Sequence, residues 1–181
     1  MKLQLLLQKT QRRYLESNVT YYNTPIGTAK ITGDNNGIQT ITFITDNLDE
    51  GNLITIGLED ENPECLRECV LQLKEYFQGK RTSFNLLLNP QGTKFQKLVW
   101  KGLSTIPYGK TISYLAQSKK IGDIKAVRAV AAANGKNPIS IIIPCHRVIG
   151  SDGSLTGYAG GVWRKKWLLD FENPLKQLSL F

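Results

Sequence analysis

The run Asn89-Pro90-Gln91-Gly92 limits the fold of this chain most sharply, because four loop-forming residues interrupt regular structure where the charge changes sign. Residues 1–90 carry 9 Lys/Arg against 11 Asp/Glu, a net of −2, whereas residues 91–181 carry 14 against 4, a net of +10. A chain of 181 residues suffices for one sizeable domain or two small ones, and the break predicts two, 1–90 and 91–181. With 41% hydrophobic and 9% aromatic residues, a packed core is expected and disorder is not. The surplus of cations behind the break predicts an anionic partner, nucleic acid being the commonest; a solubilising surface is the competing reading.

Other classes are set aside on simple grounds. The longest apolar stretch, Ile139 to Pro144, is too short to span a bilayer. Met1 to Arg13 lacks the small-residue cleavage site of a signal peptide. Three cysteines do not make a disulfide scaffold. A cytoplasmic, reducing location without membrane association is expected.

In the first domain, Val19 to Asn23 and Ile26 to Thr32 read as β-branched strands joined near Pro25. The turn-rich Gly33 to Gly37 leads to Ile38 to Ile44, where Ile38, Thr40, Thr42 and Ile44 alternate with Gln39, Ile41 and Phe43. Asp46 to Asp60 reads as an acidic loop. Asn62-Pro63 reads as a cap and first-turn proline ahead of a helix burying Leu66, Cys69, Val70, Leu73 and Phe77, stopped by Gly79. Phe84, Leu86 and Leu88 alternate as one more strand.

The second domain reads as mainly helical. Thr93 to Gln96 fits a capping box, with Phe95, Leu98, Val99 and Leu103 as the apolar stripe behind it. Ser113 to Ser118 and Ile124 to Asn134, joined through Gly122-Asp123, outline a helix-turn-helix. The second of these helices sets Lys125 and Arg128 among Ala126, Ala129, Ala131, Ala132 and Ala133. Small side chains suit close approach to a ligand and equally suit tight packing on another helix. Ile139 to Ile143 reads as a buried strand ended by Pro144. Trp163, Trp167, Leu168 and Phe171 space a last amphipathic helix with Arg164, Lys165 and Lys166, and the tail after Pro174 is expected to fray.

The only histidine, His146, lies between Cys145 and Arg147. Cationic and imidazole neighbours raise the thiolate fraction of a cysteine, so Cys145 is a candidate nucleophile. A plain core cysteine behind four isoleucines is the competing reading.

Pro144-Cys145-His146-Arg147-Val148 resembles the active-site signature of the O6-alkylguanine-DNA alkyltransferases, also called methylated-DNA–protein-cysteine methyltransferases. The resemblance extends, in family order, through Phe95-Gln96, Val99-Trp100, Ile106-Pro107-Tyr108-Gly109-Lys110-Thr111 and Ser113-Tyr114. It continues through Arg128-Ala129-Val130, Asn137-Pro138, Gly157 to Gly161 and Trp167-Leu168-Leu169. It spans roughly residues 93–172, while residues 1–90 match only in general character.

The resemblance implies a ribonuclease H-like α/β domain with a small antiparallel sheet, then a mainly α domain whose helix-turn-helix is winged-helix-like. It implies that Cys145 takes an alkyl group directly from guanine O6, with His146 as water-mediated base, Glu172 as its carboxylate partner and Asn137 as a hinge. It further implies Tyr158 and the Ala159 N–H as donors to O6, Tyr114 on another side of the base, and the Cys145 and Val148 carbonyls on the exocyclic amine. Lys125, Ala126, Ala129 and Arg128 would face the minor groove, with Ala133 also suited to close approach and Arg128 filling the space of the everted base. The implied partner is double-stranded DNA containing O6-alkylguanine, O4-alkylthymine being a further candidate lesion. A monomer reacting once, without cofactor, is expected. Zinc is not expected, because Cys65 and Cys69, four residues apart and read as core-facing, do not complete a tetrahedral site. Asn134 departs from the apolar or small residue common there. Cys145 itself argues against the alkyltransferase-like branch that binds damage without transfer, and the basic second half against a Cys-His hydrolase.

Overall fold

The computed structural model of the chain describes residues 18–44 and 63–173. The readings placed on the amino-terminal segment, the acidic loop of Asp46 to Asp60, the Asn62 cap and the tail after Pro174 lie outside the described residues. The chain divides into two compact units that part between Pro90 and Gln91.

In the first unit β1 (Asn18–Thr24), β2 (Gly27–Asp34) and β3 (Gly37–Phe43) form one antiparallel sheet in that order. The register slips between Thr32 and Gly33: Thr32 faces Thr40, but Gly33 faces Ile38. One extra residue on β3 reverses the side-chain alternation, so Ile38 and Ile41 are both fully buried where strict alternation would separate them. Helix α1 (Glu64–Phe77) lies across the sheet and buries Leu66, Cys69, Val70, Leu73 and Tyr76 with Ile26, Ala29 and Ile31. Each such aliphatic side chain contributes about 1.5–3 kcal/mol of burial free energy.

Three expectations are corrected here. The α1 stripe ends on Tyr76, not Phe77, because Tyr76 is packed between the rings of Phe77 and Phe84 at 5.1 and 5.5 Å. Pro63 itself is the N-cap residue, and it supplies no side-chain bond. Phe84 to Leu88 makes no ladder, only a single parallel bridge from Leu88 to Ile38. The Gln72 amide takes the backbone bonds a neighbouring strand would have made, donating to Asn85 O at 3.0 Å and accepting from Asn85 N at 2.9 Å. Cys69 faces the core, where burial and the neighbouring Cys65 push its thiol up to about 12, while Cys65 is only half-buried and donates to Asp34 O.

The second unit comprises α2 (Lys94–Leu103), α3 (Tyr114–Lys120), α4 (Val127–Gly135) and α5 (Val162–Phe171), with a two-residue parallel pair, β4 (Ile112–Ser113) on β5 (Val148–Ile149). The Thr93–Gln96 capping box forms as expected, both reciprocal bonds being present. The buried stripe of α2 is Val99, Trp100 and Leu103; Phe95 and Leu98 are exposed, because Trp100 turns inward to donate to Ala133 O at 2.9 Å.

Helices α3 and α4 are the two arms of the helix-turn-helix. Ser113 caps α3, Gly122 at φ +90 makes the turn, and Asp123 caps the 3-10 turn of Ile124–Ala126 that leads into α4. Asn134 on α4 and Gln117 on α3 are buried and exchange amide bonds at 2.7 and 3.3 Å. The Asn134 side chain is therefore committed to joining the two arms.

Candidate active site

Ile139 to Ile143 is buried, as read from the sequence, but it is not a strand. A lone bridge residue, Ile139, precedes turns, and Ile141 sits at φ +72. Three consecutive buried aliphatic residues, Ile141 to Ile143, cannot all face one side of a strand, whereas a chain that reverses on itself can bury them all. The segment is organised from within by Asn137. Its Nδ2 donates to Ile143 O at 2.7 Å, to Cys145 Sγ at 3.2 Å and more weakly to Ile139 O at 3.4 Å, and its Oδ1 accepts from Ile139 N at 3.1 Å. The Asn137 backbone N–H meanwhile bonds Asn134 O at the end of α4. One side chain thus ties the end of α4 to the cysteine.

Cys145, His146 and Arg147 form a 3-10 turn, and all three are buried. Glu172, at the end of α5, is 1% exposed and so is shielded from solvent. Its Oε1 meets His146 Nε2 at 2.9 Å, Arg147 Nε and Nη2 reach its two oxygens at 2.8 and 2.9 Å, and Gly109 N adds a bond at 3.3 Å. Although burial opposes its charge, His146 and Arg147 hold its carboxyl down at about 2. An ionised carboxylate only accepts, so His146 Nε2 carries the proton and Nδ1 keeps its lone pair. That Nδ1 is buried and makes no hydrogen bond among the described residues. Burial lowers the His146 pKa more than Glu172 raises it, so the resting imidazole is neutral.

Burial pushes the Cys145 thiol up; the Asn137 bond, the Lys165 charge and the Cys145 and His146 backbone N–H groups oppose that rise. Lys165 is a site residue that the sequence does not single out, since there it is one of three cations on an amphipathic helix. Its side chain is fully buried, and Nζ donates to Thr156 O at 3.0 Å and Tyr114 Oη at 3.4 Å. The buried residues of α5 are Arg164, Lys165 and Leu168, while Trp163 is 55% exposed. Helical periodicity counts lysine as polar and so points it outward; no signal short of the cysteine it faces could have reversed that.

The Tyr158 hydroxyl is buried near the Ser140 side chain; burial raises its pKa and Ser140 opposes that rise. Tyr114 Oη already donates to Thr156 O at 3.1 Å. Ala159 is exposed, and Val148 is fully buried in β5. On α4 and the 3-10 turn before it, Lys125, Arg128 and Ala129 are exposed and Ala126 is half-buried. Ala133, expected on the ligand-facing side with Ala126 and Ala129, is buried under Trp100 and packs helix on helix. Among the described residues no group of three or more His, Cys, Asp or Glu is placed to hold a metal ion, and no helix is long and apolar enough to cross a membrane.

A helix-turn-helix unit built around a buried thiol and an ionised carboxylate–imidazole pair is the plan of a DNA-binding alkyltransferase. Residues 94–174 match the DNA-binding domain of 6-O-methylguanine DNA methyltransferase, and residues 18–90 match its ribonuclease-like domain. The chain belongs to the methylated-DNA–protein-cysteine methyltransferase family. It is 46% identical over 154 residues to the Methanosarcina acetivorans methyltransferase of that name, covering 83% of this chain and 95% of the relative. It is 53% identical over 111 residues to the Mycobacterium bovis one, covering 61% and 67%. Among solved structures, the Mycobacterium tuberculosis O6-methylguanine methyltransferase superposes with a TM-score of 0.75 at 39% identity, covering 92% of this chain and 99% of that one. The Mycobacterium tuberculosis OGT in complex with DNA gives 0.74 at 38%, covering 90% and 99%.

Proposed function

We propose that this protein repairs O6-alkylguanine in DNA by moving the alkyl group to Cys145 Sγ, once per polypeptide. The observation that carries this reading is the Cys145 thiol held by Asn137 at 3.2 Å, beside an imidazole whose Nδ1 is unpaired and whose Nε2 is fixed by Glu172.

Sulfur attacks the alkyl carbon, the new S–C bond forms as the C–O6 bond breaks, and guanine leaves with the electron pair. The thiol proton passes to His146 Nδ1 through a water, and the departing base takes up one proton in return. Ionised Glu172 supports the imidazolium formed on the way. Lys165 favours the thiolate across the same space. The Tyr158 hydroxyl and the Ala159 N–H meet the charge growing on O6. Tyr114 reaches the base only by releasing Thr156 O. The Val148 carbonyl, and that of Cys145, accept from the exocyclic amine. A thioether has no ready route back to thiolate, so no turnover follows and no cofactor is needed.

A stacked base cannot reach a buried sulfur, so the lesion is rotated out of the duplex. The small Ala126 and Ala129 let α4 and the turn before it approach the minor groove, Lys125 meets phosphate, and Arg128 fills the vacated space. The same pocket is proposed to admit O4-alkylthymine, and the protein to work in the cytoplasm. Intact-mass measurement after incubation with an O6-methylguanine duplex tests the reading. The wild type gains one methyl group in place of one proton, on Cys145, and Cys145→Ser gains nothing. A wild type that binds the duplex but gains no mass would make it a damage sensor instead.

A further inference from the structure

Ile141 is the one residue other than glycine with a positive φ among the described residues, at +72. Its neighbours close a three-residue turn, with Ile142 N donating to Ser140 O at 2.9 Å. That combination is the strained, left-handed γ-turn, which a β-branched residue tolerates least. Three residues on, Pro144 at φ −83 and ψ 64 makes the relaxed mirror form, with Cys145 N donating to Ile143 O at 2.8 Å. Ile143 O, between the two turns, also accepts from Asn137 Nδ2 at 2.7 Å.

On backbone grounds Gly or Asn would suit position 141. The presence of isoleucine, 1% exposed among Ile139, Ile142 and Ile143, means that its side chain holds the turn in place from the core. Releasing this reversal would carry Ile143 O and the cysteine away from Asn137 together. We propose that Ile141 is a positioning residue, its buried side chain enforcing the left-handed turn that sets Cys145 Sγ against Asn137 and toward the substrate. The effect on transfer rests on the reading of Cys145 as the alkyl acceptor; the effect on thiol geometry does not.

The test uses the full chain with Ile141→Gly, which accepts φ +72 but has no anchor, and Ile141→Val, which keeps the β-branch. Three quantities are measured: the transfer rate at saturating O6-methylguanine duplex, the Kd for that duplex, and the ultraviolet thiolate titration of Cys145, taken as the difference from Cys145→Ser. Ile141→Val stays within about twofold of wild type in rate, while Ile141→Gly slows roughly ten- to a hundredfold at unchanged Kd. In Ile141→Gly the thiolate titration also moves to higher pH as the Asn137 bond loosens. If Ile141→Gly does not fold, Ile141→Leu keeps the volume while moving the branch point, and a severalfold slower transfer with the same displaced titration is expected. A folded variant with wild-type rate and titration overturns the proposal. A wild type that transfers nothing overturns the proposed function instead, and the titration then decides the turn by itself.

Discussion

Glu172 meets His146 across 26 residues of chain, Oε1 to Nε2 at 2.9 Å, while Arg147 next door occupies both of its oxygens. The one carboxylate therefore fixes the imidazole tautomer and neutralises a buried guanidinium that also donates to Ile106 O and lies 5.8 Å from the Tyr108 ring centre. Glu172→Gln separates the two duties poorly, and this makes it informative. Methyl transfer at saturating DNA is expected to fall by about 10²–10⁴-fold as base catalysis is lost. Urea unfolding is expected to show a loss of several kcal/mol, about 3–5 by comparison with other broken buried pairs. An unchanged transfer rate would remove Glu172 from the mechanism.

Acid should unfold the protein through the same groups. The Glu172 carboxyl is lowered from 4.5 to about 2, so the stability it supplies is complete above pH 4.5 and disappears as the pH falls toward 2. His146 is buried neutral with its pKa lowered from 6.5, so its contribution is complete above 6.5 and erodes below that value as the proton is forced in. Urea midpoints measured from pH 7 to 3 should decline in both windows, and Glu172→Gln should flatten the lower one. Parallel curves for the two proteins would refute the assignment.

Lys165 should show opposite effects on stability and activity. Lys165→Met keeps the apolar volume and removes a buried cation whose bonds among the described residues go to Thr156 and Tyr114, neither of them a carboxylate. Stability is expected to hold or rise, since replacing buried charge by a packed apolar group is often neutral or stabilising. Transfer should slow and the Cys145 thiolate titration move to higher pH, because a charge that opposes the rise of its pKa has gone. A rate equal to wild type would reduce Lys165 to packing.

The Asn134–Gln117 pair should behave as a structural lock with no part in the pocket. Asn134→Leu leaves buried Gln117 without its partner amide and is expected to cost about 1–3 kcal/mol. Adding Gln117→Leu should recover part of that loss in a double-mutant cycle. Transfer per folded molecule should remain at the wild-type rate throughout.

DNA binding should weaken as salt rises. Lys125→Ala is expected to reduce the slope of log K against log salt by about 1 with little dependence on sequence. Arg128→Ala should slow transfer more than it weakens binding, because its proposed place is inside the duplex. Equal losses in both would make Arg128 another phosphate contact.

Elements whose information is local could be read directly from the chain. The three strands and α1 follow from β-branched runs, turn residues and helical spacing, and the capping box at Thr93–Gln96 and the Ser113 and Asp123 caps form within a few residues of each other. The ordered motifs around Pro144-Cys145-His146-Arg147-Val148 named the family and marked Cys145, His146, Asn137 and Glu172 together. Misreadings arose wherever a distant residue competed with local preference. Gln72 took the bonds expected to make Phe84 to Leu88 a strand, Trp100 displaced Phe95 and Leu98 from the buried stripe, and a one-residue bulge reversed the facing of Ile41.

The sequence alone determined which residues were available for chemistry and the order of the elements that carry them. Only the tertiary structure decided that Lys165 is buried beside the thiol, that His146 keeps its lone pair on Nδ1, and that Ile139 to Ile143 turns back on itself. The physical reason is common to all three. A pattern along the chain records what each residue prefers by itself, whereas the cost of burying a charge, the tautomer of a ring and the strain in a turn depend on partners brought up from elsewhere in the fold.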